Sequence, residues 1–570
     1  MTSMAAGDQS GGAARRAVVI RLAMFAVLLA TAAVYIQTLE YEFVYDDYPQ
    51  IVETSQFNSW RMIPRYFTGH VWSWQKPYAS GPYYRPLFLV SLLVQQKLFG
   101  QDAMWWHFTS VALHLLVTLL VYFLARRLTD DWLIGVLAAA IFGLHPVHIE
   151  AVDWVSAVNE PAAAAALAGS FLCYGRRRRW WTAASLALYA VALLTKETAL
   201  AFLPLLWCYE WLQAPQARFW ERLKLALGAP LWHLAITLLF LGIRYKVMGY
   251  FSLVVTPIPW SHVLLTWPEI LMFYARHLVW PVGLSAFNDT PLVSAPDFRH
   301  FVMPCLILGA IAAGLWCWGR KWRVAAFCAM WLVLPIVPVL NSRLFSRGET
   351  VHDRYLYLPS IGLAILAAAA LGRLRPRALR GGVVAVVLAA LAFGTVQQSP
   401  QWANSVALFE RGTEVAPQNH RAWLGMGNSM MLQRRAVEAL PYYQRGLELW
   451  PETYEANYLL GRCYYQLEEY EKAERYLIWA RERAPLEAAP HMYFGLSEMK
   501  LGRLDAAEVA VRRAIELRNR DEFRDYYLAL GMVLAAKGDS QGALQAFERE
   551  VRENPDPRDA LDQIDQLRAR

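Results

Sequence analysis

The sequence predicts an all-α protein: a polytopic membrane helix bundle over residues 1–398, then an α-solenoid over 399–570. Three observations carry this. Hydrophobic residues make up 56% of the 570 and charged residues only 18%, with a mean hydropathy of +0.23, which points away from a soluble enzyme. The composition changes near residue 400, from long apolar runs to Glu- and Arg-rich amphipathic helices. Beyond that point small and aromatic residues recur at a spacing of about 34. A chain of this length is also too long for one compact domain.

Residues 1–16 are small and polar and end in Arg15-Arg16. The run 17–38 meets the requirement of about 20 apolar residues for a bilayer span, and no small-residue cleavage signal follows it. It is read as an uncleaved first span. Further candidates lie at 104–125, 132–149, 159–175, 180–195, 199–213, 225–242, 301–318, 323–341, 355–372 and 381–397. Basic clusters separate them: Arg126-Arg127, "RRRR" 176–179, Arg218 with Arg222 and Lys224, "GRKWR" 319–323 and "RLRPRALR" 373–380. Placing every cluster in the cytoplasm gives about eleven spans. That count requires the apolar stretches 85–99 and 262–280 to lie as interfacial or re-entrant helices on the outer side. The net charge of +8 is thus spread over short loops, whereas a nucleic-acid binder gathers it into one patch. The 24 Trp and 28 Tyr suit aromatic belts at the bilayer interfaces.

With the N-terminus inside, the outer side collects the loop 39–103, the turn "HPVHIEAVDW" 145–154, "TKET" 195–198, the segment 243–300 and "NSRLFSRGETVHDRYLY" 341–357. Chemistry therefore faces outward. The odd number of spans places the solenoid outside as well.

The solenoid units are 420–453, 454–487, 488–521 and 524–557. Their landmarks are Trp423, Gly427, Ala439, Tyr443 and Pro451; Gly461, Tyr464, Ala473, Ala480 and Pro485; Gly495, Ala507 and Ala514; and, after a two-residue slip that starts the unit at Arg524, Gly531, Ala543, Phe547 and Pro555. This is the tetratricopeptide spacing, in which small residues let paired helices approach and proline ends the second helix. Residues 403–417 read as a lone second helix joining the last span to the repeats. Of the six cysteines, five lie in apolar stretches and Cys463 lies in a repeat; none forms a CxxC pair, so no disulfide framework is expected.

Five outward stretches occur in order: "FVYDDYPQI", "YYRPLFLVSLLVQQKLFG", "HPVHIEAVDWVSAVNE", "LLTKETAL" and "HDRYLYLPSIGL". Together with the repeats they resemble the transmembrane and tetratricopeptide-repeat-containing O-mannosyltransferases. These are multi-span glycosyltransferases of the GT-C fold that use lipid-phosphate sugars. The resemblance covers essentially the whole chain. It departs at "SAVNEPA", where the family usually carries a basic residue and this chain has Val158-Asn159-Glu160.

The resemblance implies that an aspartate of the first outer loop, Asp46 or Asp47, is the general base that takes the acceptor hydroxyl's proton, with Asp46 favoured as the first of the pair. Without it, the two carboxylates read equally as a loop start or helix cap beside the membrane. Inverting transfer needs one such carboxylate, and adjacent like charges resist double ionisation. The donor phosphate needs cations. Arg354 offers a planar fork, with Tyr355 or Tyr357 adding a hydrogen bond, and Arg85 and Lys196 are further candidates. Lys196 and Glu197 read equally well as an ion pair between helices. His148, Glu150 and Glu197 are candidate acceptor or sugar contacts.

His145, His148 and Glu150 do not make a metal set, because His145 and Glu150 lie off one helical face and Pro146 breaks the turn. No metal or other cofactor is expected, and the resemblance agrees. Trp60, Trp72 and Trp74 read as an interfacial belt before a sugar-stacking surface. No Walker loop, GxSxG elbow or dinucleotide fingerprint appears in context, so nucleotide-driven and hydrolase chemistry lack support.

The expected activity is transfer of one hexose, mannose by resemblance, from a polyprenyl-phosphate sugar to a hydroxyl outside the cytoplasm, with inversion. Repeat arrays usually bind polypeptide, which favours a protein Ser or Thr as acceptor. A cell-envelope glycan or lipid acceptor is the alternative within the same chemistry, and a non-catalytic scaffold recruiting protein partners is the alternative outside it. The expected location is a bacterial plasma membrane, or the endoplasmic reticulum in a eukaryote.

Overall fold

The structure, a computed structural model, describes every residue except 1, 55, 74–82, 177, 215, 519–524, 555–556 and 570, with residues 2–14 described as backbone alone. Trp74, Arg177, Arg524 and Pro555 lie outside the described residues. All regular elements among the described residues are helical. The chain divides into two compact units. One comprises 1–47, 60–71 and 80–404; the other comprises 48–59, 72–79 and 405–570. The segment 48–59 of the first outer loop therefore groups with the repeats, whereas the sequence pattern assigned all of 39–103 to the membrane bundle.

In the first unit, sequence signals set the helix ends. Asp102 caps Ala103–Thr129 by accepting from the Met104 amide, and Asp131 caps Trp132–Leu144 by accepting from the amides of Leu133 and Ile134. Between the two helices Asp130 takes φ +53°, which turns the chain back so that they pair. Trp132–Leu144 ends at His145-Pro146, because Pro146 has no N–H to continue the ladder, and the chain bends by 54° into Pro146–Asp153. His145 fastens the bend. Its Nδ1 accepts from the Val147 amide at 3.2 Å, and its Nε2 lies 3.0 Å from the Leu278 carbonyl. The bend delivers the stretch that carries Glu150, Trp154, Ser156 and Glu160.

Among the described residues, six helical segments are long and apolar enough to cross a bilayer: Arg15–Glu40, Ala103–Thr129, Leu231–Met248, Phe298–Lys321, Arg323–Leu340 and Arg377–Trp402. The bent pair Trp132–Leu144 and Pro146–Asp153 makes up to seven. Leu22, Phe25, Leu306, Trp316, Val386 and Phe393 on these helices are exposed, an apolar coat that calls for lipid. The count is below the eleven expected. The stretches predicted at 159–175, 180–195, 199–213 and 355–372 fold as Asn159–Cys173, Arg179–Thr195, Phe202–Gln213 and Pro359–Gly372, of 15, 17, 12 and 14 residues. At about 1.5 Å per residue these fall short of a hydrocarbon core of about 30 Å. Breaks at Tyr174-Gly175, Lys196 and Arg373 stop them early. The two stretches expected not to cross form Pro86–Phe99 and Trp260–Val279, neither of which is among the six.

In the second unit the helices pair as His420–Leu432 with Ala436–Leu449, Tyr454–Gln466 with Tyr470–Arg483, Ala488–Lys500 with Leu504–Leu517, and Tyr526–Ala536 with Ser540–Glu553. Ser405–Val415 precedes them and Arg558–Arg568 follows. The landmark glycines are points of close approach. A Cβ on Gly427 would sit 2.5 Å from the Tyr443 ring, and one on Gly461 2.5 Å from Leu477. The equivalent atoms on Gly495 and Gly531 would run into Val511 and Phe547. The turn inside each pair needs a left-handed residue, supplied by Arg434, Glu468, Gly502 and Gly538.

Candidate active site

Within the first unit, the first outer loop is fastened at both ends of its aspartate pair. The Glu42 amide donates to the Ala403 carbonyl at 2.9 Å, and the Asp47 amide to the Val44 carbonyl at 3.0 Å, closing a turn. Tyr45 in that turn holds φ +54°. Its hydroxyl donates to Glu349 Oε1 at 3.0 Å, and its ring packs on Trp154 and Phe287 at 5.8 Å each.

The two aspartates differ in burial. Asp47 is fully buried and both its oxygens are engaged: Oδ1 accepts from the Ser156 hydroxyl at 2.5 Å and the Ser156 amide at 2.8 Å, and Oδ2 from the Val44 amide at 3.1 Å. Asp46 is half-buried and keeps a solvent-facing part. Burial pushes the Asp47 carboxyl up to about 7, with the Asp46 charge adding to it and the three hydrogen bonds opposing. The folded protein therefore holds this proton more tightly than the unfolded chain. The associated stability is full below about pH 4, falls as pH rises, and is gone above about 7. The wild type should lose thermal stability across that window relative to Asp47→Asn. A melting-temperature difference that stays flat from pH 4 to 7 would show that the proton is not held there.

The predicted cations form three ion pairs. Arg85 is bidentate on Glu197, Nε to Oε2 at 2.8 Å and Nη2 to Oε1 at 2.5 Å. Arg354 donates through Nη1 to Glu150 Oε1, and its amide donates to Glu150 Oε2 at 2.9 Å. Lys196 pairs with Glu160, the residue at which the sequence departs from the family pattern. Lys196 and Glu197 thus do not pair with each other; each reaches across to another segment. Burial works against the Glu197 charge, but Arg85 wins and takes its carboxyl down to about 2. Two rings sit among the cations. Arg354 and Lys196 lie 5.2 and 5.3 Å from the centre of the Tyr355 ring, and Arg85 lies 4.2 Å from that of Tyr83.

Their freedom to bind a further anion differs. Arg354 has Nε and Nη2 beyond the groups given to Glu150, and its side chain is 18% exposed. Arg85 has Nη1 left and is 13% exposed. Lys196 is 2% exposed and held by Glu160. A second contact supports the Arg354 loop: Asp353 Oδ1 lies 2.6 Å from His277 Nδ1, both buried.

Two expected contacts are placed elsewhere. Tyr357 is fully buried with its hydroxyl 2.8 Å from His114 Nδ1, so the tyrosine beside the cations is Tyr355. His148 is buried with Nε2 2.8 Å from the Ser360 hydroxyl, and its ring packs on Phe142 and Tyr357. His148 points into the bundle because the Pro146 turn folds its segment inward. Glu150 and Glu197 meet the arginines and are positioned to orient them. His145, His148 and Glu150 each have protein partners, and no metal-holding group of three or more His, Cys, Asp or Glu is found among the described residues. Trp60 is 53% exposed, and Trp72 groups with the repeat unit. Sequence reasoning missed Tyr45, Trp154, Ser156 and the pairing role of Glu160; only Glu160 carried a signal, as the departure from the family pattern.

Residues 430–492 match one tetratricopeptide repeat family, and 398–451 and 493–558 match a second. Over 91% of its length the chain is similar, at 24% identity, to the mouse protein O-mannosyl-transferase TMTC3, covering 62% of that protein. The human TMTC3 protein gives 24% identity over 90% of this chain and 62% of its own. The human protein O-mannosyl-transferase TMTC1 is 26% identical over 76% of this chain and 56% of its own. The family that the motifs resemble is thus the family of these relatives, and the chain spans under two thirds of their length. Among solved structures, the ArnT protein from Cupriavidus metallidurans, bound to undecaprenyl phosphate, aligns over 93% of this chain and 88% of its own at 19% identity, with a TM-score of 0.38. That superposition is too loose to read a shared fold from.

Proposed function

We propose that this chain is a membrane glycosyltransferase that moves a hexose, mannose for preference, from a polyprenyl-phosphate donor to the hydroxyl of a protein Ser or Thr, with inversion. The observation that carries the reading is the contrast at the aspartate pair. Asp47 spends both oxygens on fixing the loop, and Asp46 keeps a solvent-facing part in the same unit that gathers Arg354 and Arg85. The relatives are protein O-mannosyl-transferases by name, which supports the same reaction.

The roles follow from that contrast. Asp46 takes the proton of the acceptor hydroxyl as its oxygen attacks the anomeric carbon. The bond from that carbon to the phosphate oxygen breaks on the opposite face, and the lipid phosphate leaves with the electron pair. Arg354 and Arg85 hold the phosphate through the N–H groups their carboxylates do not use. Glu150 and Glu197 orient them. Glu160 withdraws Lys196 from the phosphate and ties its segment to the others. No metal is assigned to the reaction. The basic loops put the N-terminus in the cytoplasm and the aspartate loop outside it, in a bacterial plasma membrane or the endoplasmic reticulum. The repeats supply the surface for an extended protein acceptor.

The test is incubation of purified protein with a panel of polyprenyl-phosphate hexoses and a Ser/Thr-rich peptide, with mass spectrometry of the product. The expected result is a single added hexose on Ser or Thr. A glycosylated lipid or glycan with an unmodified peptide would move the acceptor to the cell envelope, and no transfer from any donor would leave a scaffold.

A further inference from the structure

Trp154 touches Arg354, assigned to the phosphate, and Tyr45, the residue before Asp46, which is assigned to the proton. It follows Ile149–Asp153 and stands two residues before Ser156, which holds Asp47. The Arg354 guanidinium sits over its ring at 5.1 Å from the centre. The Trp402 indole stacks on it at 5.8 Å with 16° between the planes. The Tyr45 ring approaches at 5.8 Å, and Tyr45 immediately precedes Asp46. Trp154 therefore touches both Arg354 and the neighbour of Asp46. The left-handed φ of Tyr45, disfavoured for a residue with a side chain, is held by this contact and the bond to Glu349.

The indole itself is unsatisfied. Trp154 is 6% exposed, and its Nε1–H is buried with no hydrogen-bond partner. Buried N–H groups nearly always have one. An indole nitrogen only donates, so the missing partner is an acceptor. Arg354 and Trp402 engage the ring, and the N–H edge carries the unmet donor.

We propose that Trp154 is a donor-sugar contact: its Nε1–H donates to a hydroxyl oxygen of the hexose on the polyprenyl phosphate. The sugar is then fixed between Arg354, on the phosphate, and Asp46, on the acceptor's proton. This inference rests on the glycosyltransferase reading of the same site.

The probes are undecaprenyl-phosphate mannose and undecaprenyl phosphate without sugar, applied to the full chain in detergent. Trp154→Phe keeps one aromatic ring but deletes the unsatisfied N–H together with the second ring, so its melting temperature without ligand should fall by the packing lost against Trp402. The KM for the mannosyl lipid should rise about tenfold with kcat within about twofold, as expected when one hydrogen bond is removed from the ground and transition states alike. Affinity for the sugarless lipid should be unchanged. Incorporating benzothienylalanine at 154, which keeps the indole's shape without the N–H, should reproduce the effect even if the phenylalanine variant folds poorly. An unchanged KM in both variants, or an equal drop in affinity for the sugarless lipid, would overturn the sugar contact. Failure of the wild type to use any polyprenyl-phosphate hexose would instead overturn the reading beneath it.

Discussion

Asp46→Asn should lower kcat by about 10²–10⁴-fold while leaving the KM for the lipid donor within a few-fold of the wild type. The substitution removes the proton acceptor and keeps the size and polarity of the side chain. A base acts when the acceptor's O–H bond breaks, so its loss falls on kcat and spares donor binding. Asp47→Asn is the control that gives the result meaning. Its carboxylate accepts from the Ser156 hydroxyl, the Ser156 amide and the Val44 amide. An asparagine there keeps one acceptor oxygen and turns an amide toward a donor, so the loop loosens. The expected cost is smaller in kcat and visible in the melting temperature. Full activity in Asp46→Asn with loss in Asp47→Asn would transfer the base to Asp47, whose raised carboxyl near 7 would then be the tuned group.

The sequence made this experiment possible without making it decisive. The pair Asp46-Asp47 was legible as a unit because two carboxylates beside an apolar run are costly without a purpose. Which one faces the acceptor depends on Ser156, more than a hundred residues away, and on the backbone of Tyr45, and neither has a local signature. The repeats were legible for the opposite reason. Each glycine answers a steric demand from a residue 16 positions on, Tyr443 for Gly427 and Leu477 for Gly461, so the period is written into the chain. The bundle falls between these cases. Apolar runs announce burial, but Asn159–Cys173 is buried among helices while Phe298–Lys321 is exposed, and hydropathy alone does not tell them apart. Arg85, Lys196 and Arg354 were legible as candidate cations. Which carboxylate each one meets was not, because pairing across segments is a property of the fold.

That pairing sets the second large effect. Arg354→Ala should cost about 3–5 kcal/mol of stability, because it leaves Glu150, whose side chain is 2% exposed, as a buried charge without its cation. Glu150→Gln should cost less, since Arg354 at 18% exposure can turn toward solvent. The double variant Glu150→Ala/Arg354→Ala removes both charges and should recover most of the drop in melting temperature. It should not recover activity. If Arg354 holds the donor phosphate with the N–H groups that Glu150 does not use, kcat/KM for the lipid donor stays down by about 10- to 100-fold, the worth of hydrogen bonds to a charged group. Stability and donor use therefore separate in the double variant. A scaffolding arginine would regain both together, and recovery of full donor use there would remove Arg354 from the phosphate. A phosphate contact needs the arginine itself, because the pair's electrostatic self-consistency can be restored without it and the positive charge opposite the phosphate cannot.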